Sequence, residues 1–468
     1  MGFIDNLLFN LPEVTGPQQR RLSFKEKLKW TGVILLLFFA LGTIPMFGLG
    51  ENALQQFEFL SLILGAEFGS IISLGIGPLV TASIVLQLLN GSGIIKFDLT
   101  SHEGKKRFQG WQKLTSIFFI IFEAAIYVFM GGLAPSASLK GTSLYLQLEL
   151  ILVLQLFLGG MLIMFMDEVV SKWGFGSGIS LFIAAGVSKD VFIRLLNPLT
   201  NIGALAWPFG EGIPNGKLIE LFYALSHGQP TTAGLALAAI LATVIVFVVA
   251  VYAQAMKVEI PLSFGRIRGQ GIRWPLSFIY TSNIPVILVA ALIANVQLWA
   301  RLLQNWGHPI LGTFAGNTPQ SGFIFWLYSP NIVEKIVTGS LSWVHVGQAC
   351  VYLIFMIVGA VIFSIFWVQT SGMDASSQAK QMMSSGLSMP GFRKDQRVLE
   401  TLLNRYIWPL TVMGAITVGI LASLADLSGA LSRGTGILLT VMIVYRLYED
   451  IAKHHMMDMH PMMRKIME

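Results

Sequence analysis

Residues 59–80, FLSLILGAEFGSIISLGIGPLV, are too apolar for an exposed loop and too interrupted for a continuous membrane span. One carboxylate, several glycines and a proline punctuate the stretch: Gly65, Glu67, Gly69, Gly75, Gly77 and Pro78. Glycine adds backbone freedom and proline removes a hydrogen-bond donor, so both disfavour a helix interior. The pattern predicts a short apolar segment, then a turn, and then a helix that begins again around residue 70.

The composition of the whole chain indicates a polytopic membrane protein. Of its 468 residues, 54% are hydrophobic and 12% are charged, whereas soluble domains carry roughly 25% charged residues. Uninterrupted apolar runs near 20 residues are long enough to cross a bilayer as helices. The single cysteine, Cys350, lies within such a run, and a lone cysteine excludes a disulfide framework.

The apolar runs predict ten membrane spans. They centre on residues 30–48, 70–90, 113–132, 148–166, 175–188, 233–255, 276–298, 345–368, 407–425 and 432–448. Three connecting segments are long. Residues 189–232 are proline-containing and are expected to include an interfacial helix, while residues 256–275 and 369–405, on the opposite side, are basic.

The distribution of lysine and arginine predicts the orientation of these spans. Segments on one side carry 24 of the 31 basic residues, and segments on the other side carry 7. Because cytoplasmic loops hold the excess of basic residues, both termini are predicted to be cytoplasmic. The net charge of +6 is therefore first a signal of orientation and only second a hint of an anionic partner.

A weak internal sequence similarity relates the second span to the seventh. The second opens with GIGPLVTASIVLQLL (75–89) and the seventh with SNIPVILVAALIA (282–294), and each has a proline near its start. Interrupted segments at corresponding positions of two five-span halves favour an inverted repeat around a central pathway. Proline is also common in membrane helices for purely local reasons, so the pattern alone leaves both interpretations open.

The sequence lacks the motifs of enzymes and of cofactor sites. No HExxH, GxSxG, nucleotide-binding lysine loop or paired-cysteine motif occurs. We therefore predict no catalytic residue, no metal site and no cofactor, and we expect that the protein is not an enzyme.

Glu123, in IIFEAAIYV (120–128), is the clearest carboxylate within a predicted span. Ion-coupled carriers normally place several titratable groups at mid-membrane, so a single acid favours a channel. An ion-coupled secondary transporter with an inverted repeat remains the alternative. An isolated buried carboxylate needs either a polar partner on another helix or a proton.

Two basic loops, SFGRIRGQGIRW (263–274) and MPGFRKDQR (389–397), place arginines on turns that contain glycine or proline. Arg266, Arg268 and Arg393 are the clearest examples. Such guanidinium groups suit the phosphates and sugars of RNA. Membrane orientation and contact with lipid headgroups are the alternative explanation for the same charges.

Five motifs together resemble the SecY family, the main subunit of the protein-conducting channel, in its archaeal and eukaryotic branch. They are LGIGPLVTASIVLQLL (74–89), GFGSGISLFIAAGVS (174–188), SNIPVIL (282–288), GRIRGQG (265–271) and MPGFR (389–393). The resemblance covers essentially the whole chain. It implies an all-α polytopic membrane protein whose ten transmembrane helices form two inverted, pseudo-symmetric five-helix halves around a central pore. The halves would be residues 1–188 and 233–468, joined by an external hinge at 189–232.

The resemblance also implies a plug and a pore ring. A segment of about residues 55–66 would plug the outer cavity with its apolar side chains Phe57, Phe59, Leu60, Leu62, Ile63 and Leu64. Six aliphatic residues would form the ring: Ile76, Val80, Ile179, Ile183, Ile287 and Leu439. Branched aliphatic side chains at a constriction exclude ions by dewetting.

A lateral gate and a set of partners follow from the same resemblance. Thr81, Glu123 and Asn295 would form a polar cluster at the seam between the two halves. The implied function is to pass secretory polypeptides across the cell membrane and to release transmembrane segments sideways into lipid, during translation. The implied partners are small SecE/gamma and SecG/beta subunits, ribosomal RNA and protein contacted by Arg266, Arg268 and Arg393, signal peptides and nascent membrane helices, and membrane lipids.

Overall fold

The structure is a computed structural model that describes residues 11–18, 22–52, 66–91, 94–95, 97, 102–200, 204–208, 210–264, 271–281, 284–316, 318–384, 387–388 and 395–459. Its helices, in chain order, are α1 Phe24–Gly42, α2 Gly77–Gly91, α3 His102–Phe129, α4 Ser143–Trp173, α5 Gly178–Leu196, α6 Lys217–Ser226, α7 Pro230–Ala255, α8 Ile284–Asn305, α9 Phe323–Trp326, α10 Ile332–Val337, α11 Trp343–Thr370, α12 Ala375–Ser384, α13 Gln396–Leu427 and α14 Gly434–Met459. Each of the ten predicted spans coincides with one long helix. The four short helices α6, α9, α10 and α12 lie in the connecting segments.

Six helical stretches in the described part of the chain are long and apolar enough to cross a membrane. They are Lys106–Phe129, Ser143–Trp173, Pro230–Ala255, Ile284–Asn305, Trp343–Met383 and Gln396–Leu427. On α7, the large side chains of Leu241, Ile245, Val248 and Tyr252 follow one another at helical spacing, and all four are exposed. An apolar stripe of this kind fits contact with lipid tails, because soluble proteins rarely expose such patches to water.

Three helices begin well before the predicted spans because their polar ends continue beyond the apolar part. α1, α3 and α13 start at residues 24, 102 and 396 rather than at 30, 113 and 407. Hydropathy detects the part of a helix that lies in lipid, whereas backbone hydrogen bonds extend the helix through polar residues. Caps mark two of these starts. The Ser23 hydroxyl accepts the Glu26 amide at α1, and the Asp395 carboxylate accepts the Arg397 amide at α13.

The helix of the second span begins later than residue 70, so the prediction of its start is wrong. Residues 67–76 form successive tight turns instead, with amide-to-carbonyl bonds such as Ser73 to Ser70 and Gly75 to Ile72. Gly75 has a φ of +55°, a conformation that favours glycine. α2 therefore starts at Gly77, followed by Pro78, whose missing N–H costs nothing in the first turn of a helix.

The two halves of the helix bundle repeat the same packing. In the first half, α1 packs on α4 and α5, α2 packs on α3, α3 on α4, and α4 on α5. In the second half, α7 packs on α13 and α14, α8 on α11, α11 on α13, and α13 on α14. These are the corresponding pairs of a five-helix repeat. Because five crossings bring the chain to the opposite side of the membrane, the two halves are inverted relative to each other.

The halves meet along two seams. On one side, α14 packs against α5 and α1. On the other side, α2 packs against α8 and α11. The central hydrophobic cluster extends across both seams, since it contains buried residues from α1, α2, α5, α8 and α14.

The two basic connecting segments form one small sheet. Strands β3 (Lys257–Phe264) and β4 (Gly271–Ser277) pair as an antiparallel hairpin, and β7 (Leu387–Ser388) adds to the other edge of β3. A separate hydrophobic cluster, which includes Leu276, Tyr280, Ala379 and Leu403, packs this region against α12 and α13. The Tyr280 hydroxyl also donates a 2.7 Å hydrogen bond to the Met373 carbonyl. The sheet is thus anchored to the ends of the helices beneath it.

Two-residue ladders pair β1 (Glu51–Asn52) with β2 (Leu133–Ala134) and β5 (Phe314–Ala315) with β6 (Thr318–Pro319).

Candidate functional site

The structure brings the six predicted ring residues together between the two halves. Ile76 precedes the first residue of α2, Val80 follows one turn later, Ile179 and Ile183 lie on α5, Ile287 lies on α8, and Leu439 lies on α14. Five of them belong to one hydrophobic cluster, and Ile179 packs against the same cluster. Side chains from four helices of both halves, which we call the aliphatic layer, therefore lie in one hydrophobic cluster.

The aliphatic layer is closed to solvent. Ile76, Ile183 and Leu439 are each 1% exposed, and Ile287 is 5% exposed. Ile179 is half-buried at the edge of the layer. Buried aliphatic side chains offer no polar atom that could bind water or an ion.

The three predicted seam residues form one hydrogen-bonded chain. The Asn295 side-chain amide on α8 donates to the Thr81 hydroxyl on α2 at 3.0 Å. The Thr81 hydroxyl lies 3.1 Å from Glu123 Oε1 on α3, to which it donates, and 2.9 Å from the Gly77 carbonyl. All three side chains are buried, and Glu123 is 0% exposed. Thr81 thus links a helix of the second half to two helices of the first half.

Several polar atoms on or near the hydrogen-bonded residues Asn295, Thr81 and Glu123 lack a hydrogen-bond partner among the described residues. They are Glu123 Oε2, Asn295 Oδ1, Tyr127 Oη and Trp299 Nε1. Tyr127 follows Glu123 by four residues on α3, and Trp299 follows Asn295 by four residues on α8, so each pair shares a helix face. Tyr127 and Trp299 were not predicted as site residues, although their helical spacing from Glu123 and Asn295 would have identified them.

Two sets of predicted site residues lie outside the described part of the chain. They are the plug residues Phe57, Phe59, Leu60, Leu62, Ile63 and Leu64, and the loop arginines Arg266, Arg268 and Arg393. The structure does describe the strands that flank the loops. Phe264 and Gly271 border the first arginine turn, and Ser388 precedes the second.

Comparisons with known proteins identify the family. The SecY family matches residues 70–448 of the chain. The chain belongs to the SecY family. It is 46% identical over 461 residues to the protein translocase subunit SecY of Methanothermobacter thermautotrophicus, covering 98% of this chain and 96% of that protein. It is 42% identical to SecY of Methanocaldococcus jannaschii over 461 residues, covering 98% of each chain.

Solved structures of SecY and Sec61 channels share the fold. A protein-conducting channel superimposes with a TM-score of 0.81 at 42% identity, covering 97% of this chain and 98% of that one. Canine Sec61 from a ribosome–channel complex superimposes with a TM-score of 0.78 at 41% identity, covering 97% of both chains. The SecY resemblance and the ten-helix architecture predicted from the sequence are confirmed. The SecY relatives are translocase subunits, so the alternative of an ion-coupled transporter is not supported.

Proposed function

We propose that the chain is the pore-forming subunit of a protein translocase. It passes secretory polypeptides through the aliphatic layer and releases apolar segments into lipid through the seam between α2 and α8. The observation that supports this proposal is the burial of Ile76, Ile183, Ile287 and Leu439, from both halves, in one hydrophobic cluster. Side chains supplied by two separable halves can move apart around a peptide and still close behind it.

The seam offers the sideways exit that a membrane segment needs. Across it, the Asn295–Thr81 bond joins α8 to α2. An apolar helix that wedges into the seam replaces this bond with contacts to lipid and to aliphatic side chains. Interhelical hydrogen bonds in membranes contribute about 0.6–2 kcal/mol, which a sufficiently hydrophobic segment can exceed.

Function as a translocase can be tested with the assembled complex in proteoliposomes. The complex would contain this chain and its SecE/gamma and SecG/beta subunits, which we propose as partners by family membership. Ribosome-bound chains with a signal segment should become protected from protease inside the vesicles. A matched segment with a central arginine should stay accessible, because that residue costs about 2.5–3.5 kcal/mol in insertion. Equal protection of both segments, or of neither, would contradict the proposal.

The small sheet suits a docking surface for the ribosome. The register pairs Ser263 with both Gly271 and Ser388, so Gly271, which follows the first arginine segment, and Ser388, which precedes the second, lie beside the same residue of β3. We propose that this sheet faces the cytoplasm of the cell, as do both termini, in agreement with the excess of basic residues on that side.

Replacing Arg266, Arg268 and Arg393 together with glutamate should weaken ribosome binding. Loss of three phosphate contacts should also lower the slope of log affinity against log salt by about 2–3. Binding of the complex to ribosomes would be measured by co-sedimentation across a salt series. The matched control exchanges Lys25, Lys380 and Arg405 for glutamate, since all three are exposed, lie outside the two arginine loops and change the charge by the same amount. If both triple variants lose ribosome binding equally, the effect is due to net charge and not to the three loop arginines.

Deleting the proposed plug, residues 55–66, should leave a folded channel that leaks ions at rest. One structural neighbour, 42% identical, is described as a SecY whose plug domain stabilises the closed channel and maintains the membrane seal. The leak should be partial, because the aliphatic layer still excludes water. Conductance across a planar bilayer would be compared with a variant whose residues 55–66 are replaced by a glycine–serine segment of equal length. A deletion variant as tight as wild type would contradict a plug at these residues.

A further inference from the structure

Two carboxylates, at opposite ends of the bundle, hold the first turns of α5 and α14. Asp167 on α4 accepts the Ile179 amide of α5 at 2.9 Å. Asp426 on α13 accepts the Thr435 amide of α14 at 2.8 Å and the Thr435 hydroxyl through its other oxygen. In each case the carboxylate belongs to the helix immediately before the one that it holds.

The two carboxylates lie on corresponding helices of the inverted repeat, since α4 and α5 correspond to α13 and α14. A hydroxyl residue, a glycine and an isoleucine follow one another near the start of each held helix: Ser177-Gly178-Ile179 and Thr435-Gly436-Ile437. The bound amide differs, because Asp167 binds that of the isoleucine and Asp426 binds that of the threonine.

Glycine makes the close approach possible at both sites. A Cβ on Gly178 would lie 2.5 Å from the Asp167 Cα, and a Cβ on Gly434 would lie 2.0 Å from the Ala425 carbonyl carbon. Both distances are too short for any side chain, so each helix start lies directly against the helix that carries the carboxylate.

The second site also reaches a third helix. The Tyr352 hydroxyl of α11 donates to Asp426 Oδ2 at 2.5 Å, and the Ser329 hydroxyl donates to the Asp426 carbonyl at 3.2 Å. Asp426 is 8% exposed, so these bonds form away from bulk water, where hydrogen bonds to a charged group are strongest.

Both held helices carry ring residues within the next turns. The Ile179 amide is itself the group that Asp167 binds, and Ile183 follows one turn later. Leu439 lies four residues after Thr435, on the same face of α14. A carboxylate that binds the first turn fixes both the rotation of a helix and its position along its axis. α5 and α14 also pack against each other at the seam opposite α2 and α8.

We propose that Asp167 and Asp426 are positioning residues of the channel. They hold α5 and α14 in the register that brings Ile179, Ile183 and Leu439 into the aliphatic layer. α5 and α14 thereby stay fixed while the α2–α8 seam opens. The inference rests on the proposed translocase function.

The test compares resting ion conductance of the assembled complex in planar bilayers for Asp167→Ala, Asp426→Ala and wild type. Each alanine variant should raise the conductance by about tenfold, as expected from the loss of at least one hydrogen bond to a charged group. The conservative variants Asp167→Asn and Asp426→Asn keep one accepting oxygen and should restore most of the seal.

The matched control is Asp374→Ala. Asp374 accepts the Ser377 amide at 3.1 Å at the beginning of α12, a helix that carries no ring residue. A loss of thermal stability without a leak is expected for this control. An equal leak in the control, or tight channels in both folded alanine variants, would overturn the positioning role.

Two milder variants keep the test decisive if an alanine variant fails to assemble. Thr435→Val and Tyr352→Phe each remove one hydroxyl that donates to Asp426 and leave both carboxylates in place, so a smaller leak is expected from each. Tight channels in both would overturn the proposal. Polypeptide transport by the wild-type complex is measured in parallel, and its absence would count against the translocase function itself and not against the positioning of α5 and α14.

Discussion

Replacing Ile183 with asparagine should make the resting channel conduct ions about 10- to 100-fold better than wild type. Ile183 is 1% exposed in the aliphatic layer, and an unpaired buried amide costs about 1–3 kcal/mol in proteins. Water that enters the layer relieves this cost, and each 1.4 kcal/mol changes an equilibrium about tenfold. Conductance of single complexes in a planar bilayer would measure the effect, and Ile76→Asn should behave in the same way.

The control for this prediction is Ile163→Asn. Ile163 is 0% exposed and belongs to the same hydrophobic cluster, but it lies on α4, which supplies no ring residue. The control should lose as much stability as Ile183→Asn while its resting channel stays tight. Equal conductance of the two variants would mean that any disturbance of the core opens the channel, and the ring assignment would then be wrong.

Joining Thr81 to Asn295 should abolish both secretion and membrane insertion. The two side chains lie 3.0 Å apart across the seam. Cysteines would be introduced by Thr81→Cys and Asn295→Cys, with Cys350→Ser to remove the lone native thiol. A short bifunctional thiol reagent then links α2 to α8. The same variant without reagent controls for the substitutions. Continued insertion of helices by the crosslinked channel would contradict an exit between α2 and α8.

Asn295→Leu should raise the hydrophobicity that a segment needs for insertion. The substitution removes one hydrogen bond to Thr81, but it also removes the unpartnered Oδ1 and adds apolar packing, so the closed seam is favoured. The insertion threshold of a graded leucine–alanine series should rise by about one or two leucines, at roughly 0.5 kcal/mol each.

Gln297→Leu provides the comparison for this shift. Gln297 is a buried amide on the same helix, and it donates to the Leu327 carbonyl at 3.1 Å within the second half. Loss of this hydrogen bond should lower the thermal stability of the complex and leave the insertion threshold unchanged. Coinciding threshold curves for wild type and Asn295→Leu would exclude Asn295 from the gate.

The contact between Thr81, Glu123 and Asn295 illustrates what the sequence could and could not predict. The buried carboxylate predicted a need for a polar partner, and family resemblance pointed to Thr81 and Asn295. The order of the bonds, with Thr81 in the middle and Asn295 Oδ1 left without a partner among the described residues, depends on how three helices approach one another. Local sequence does not encode that approach.

The roles of Asp167 and Asp426 could be predicted from the sequence even less. Asp167 and Asp426 fall near the ends of predicted spans, where a charged residue is ordinary and carries no signal of its own. Their role emerges only when α4 lies against α5 and α13 lies against α14, because the groups that they bind are backbone amides of the next helix. Backbone amides are the same whatever the side chain, so the sequence does not show which residue's amide a carboxylate will bind.

By itself, the sequence determined the ten helices, their alternation across the membrane and the family. The reason is that transfer of a 20-residue segment into lipid depends on summed side-chain hydrophobicity, which is local and additive. Only the tertiary structure decided that α2 begins at Gly77, that β7 joins the hairpin of β3 and β4, and that side chains from α2, α5, α8 and α14 lie in one hydrophobic cluster. Those features depend on pairing between residues that are far apart in the chain, and the free energy of such pairs exists only once the helices have packed.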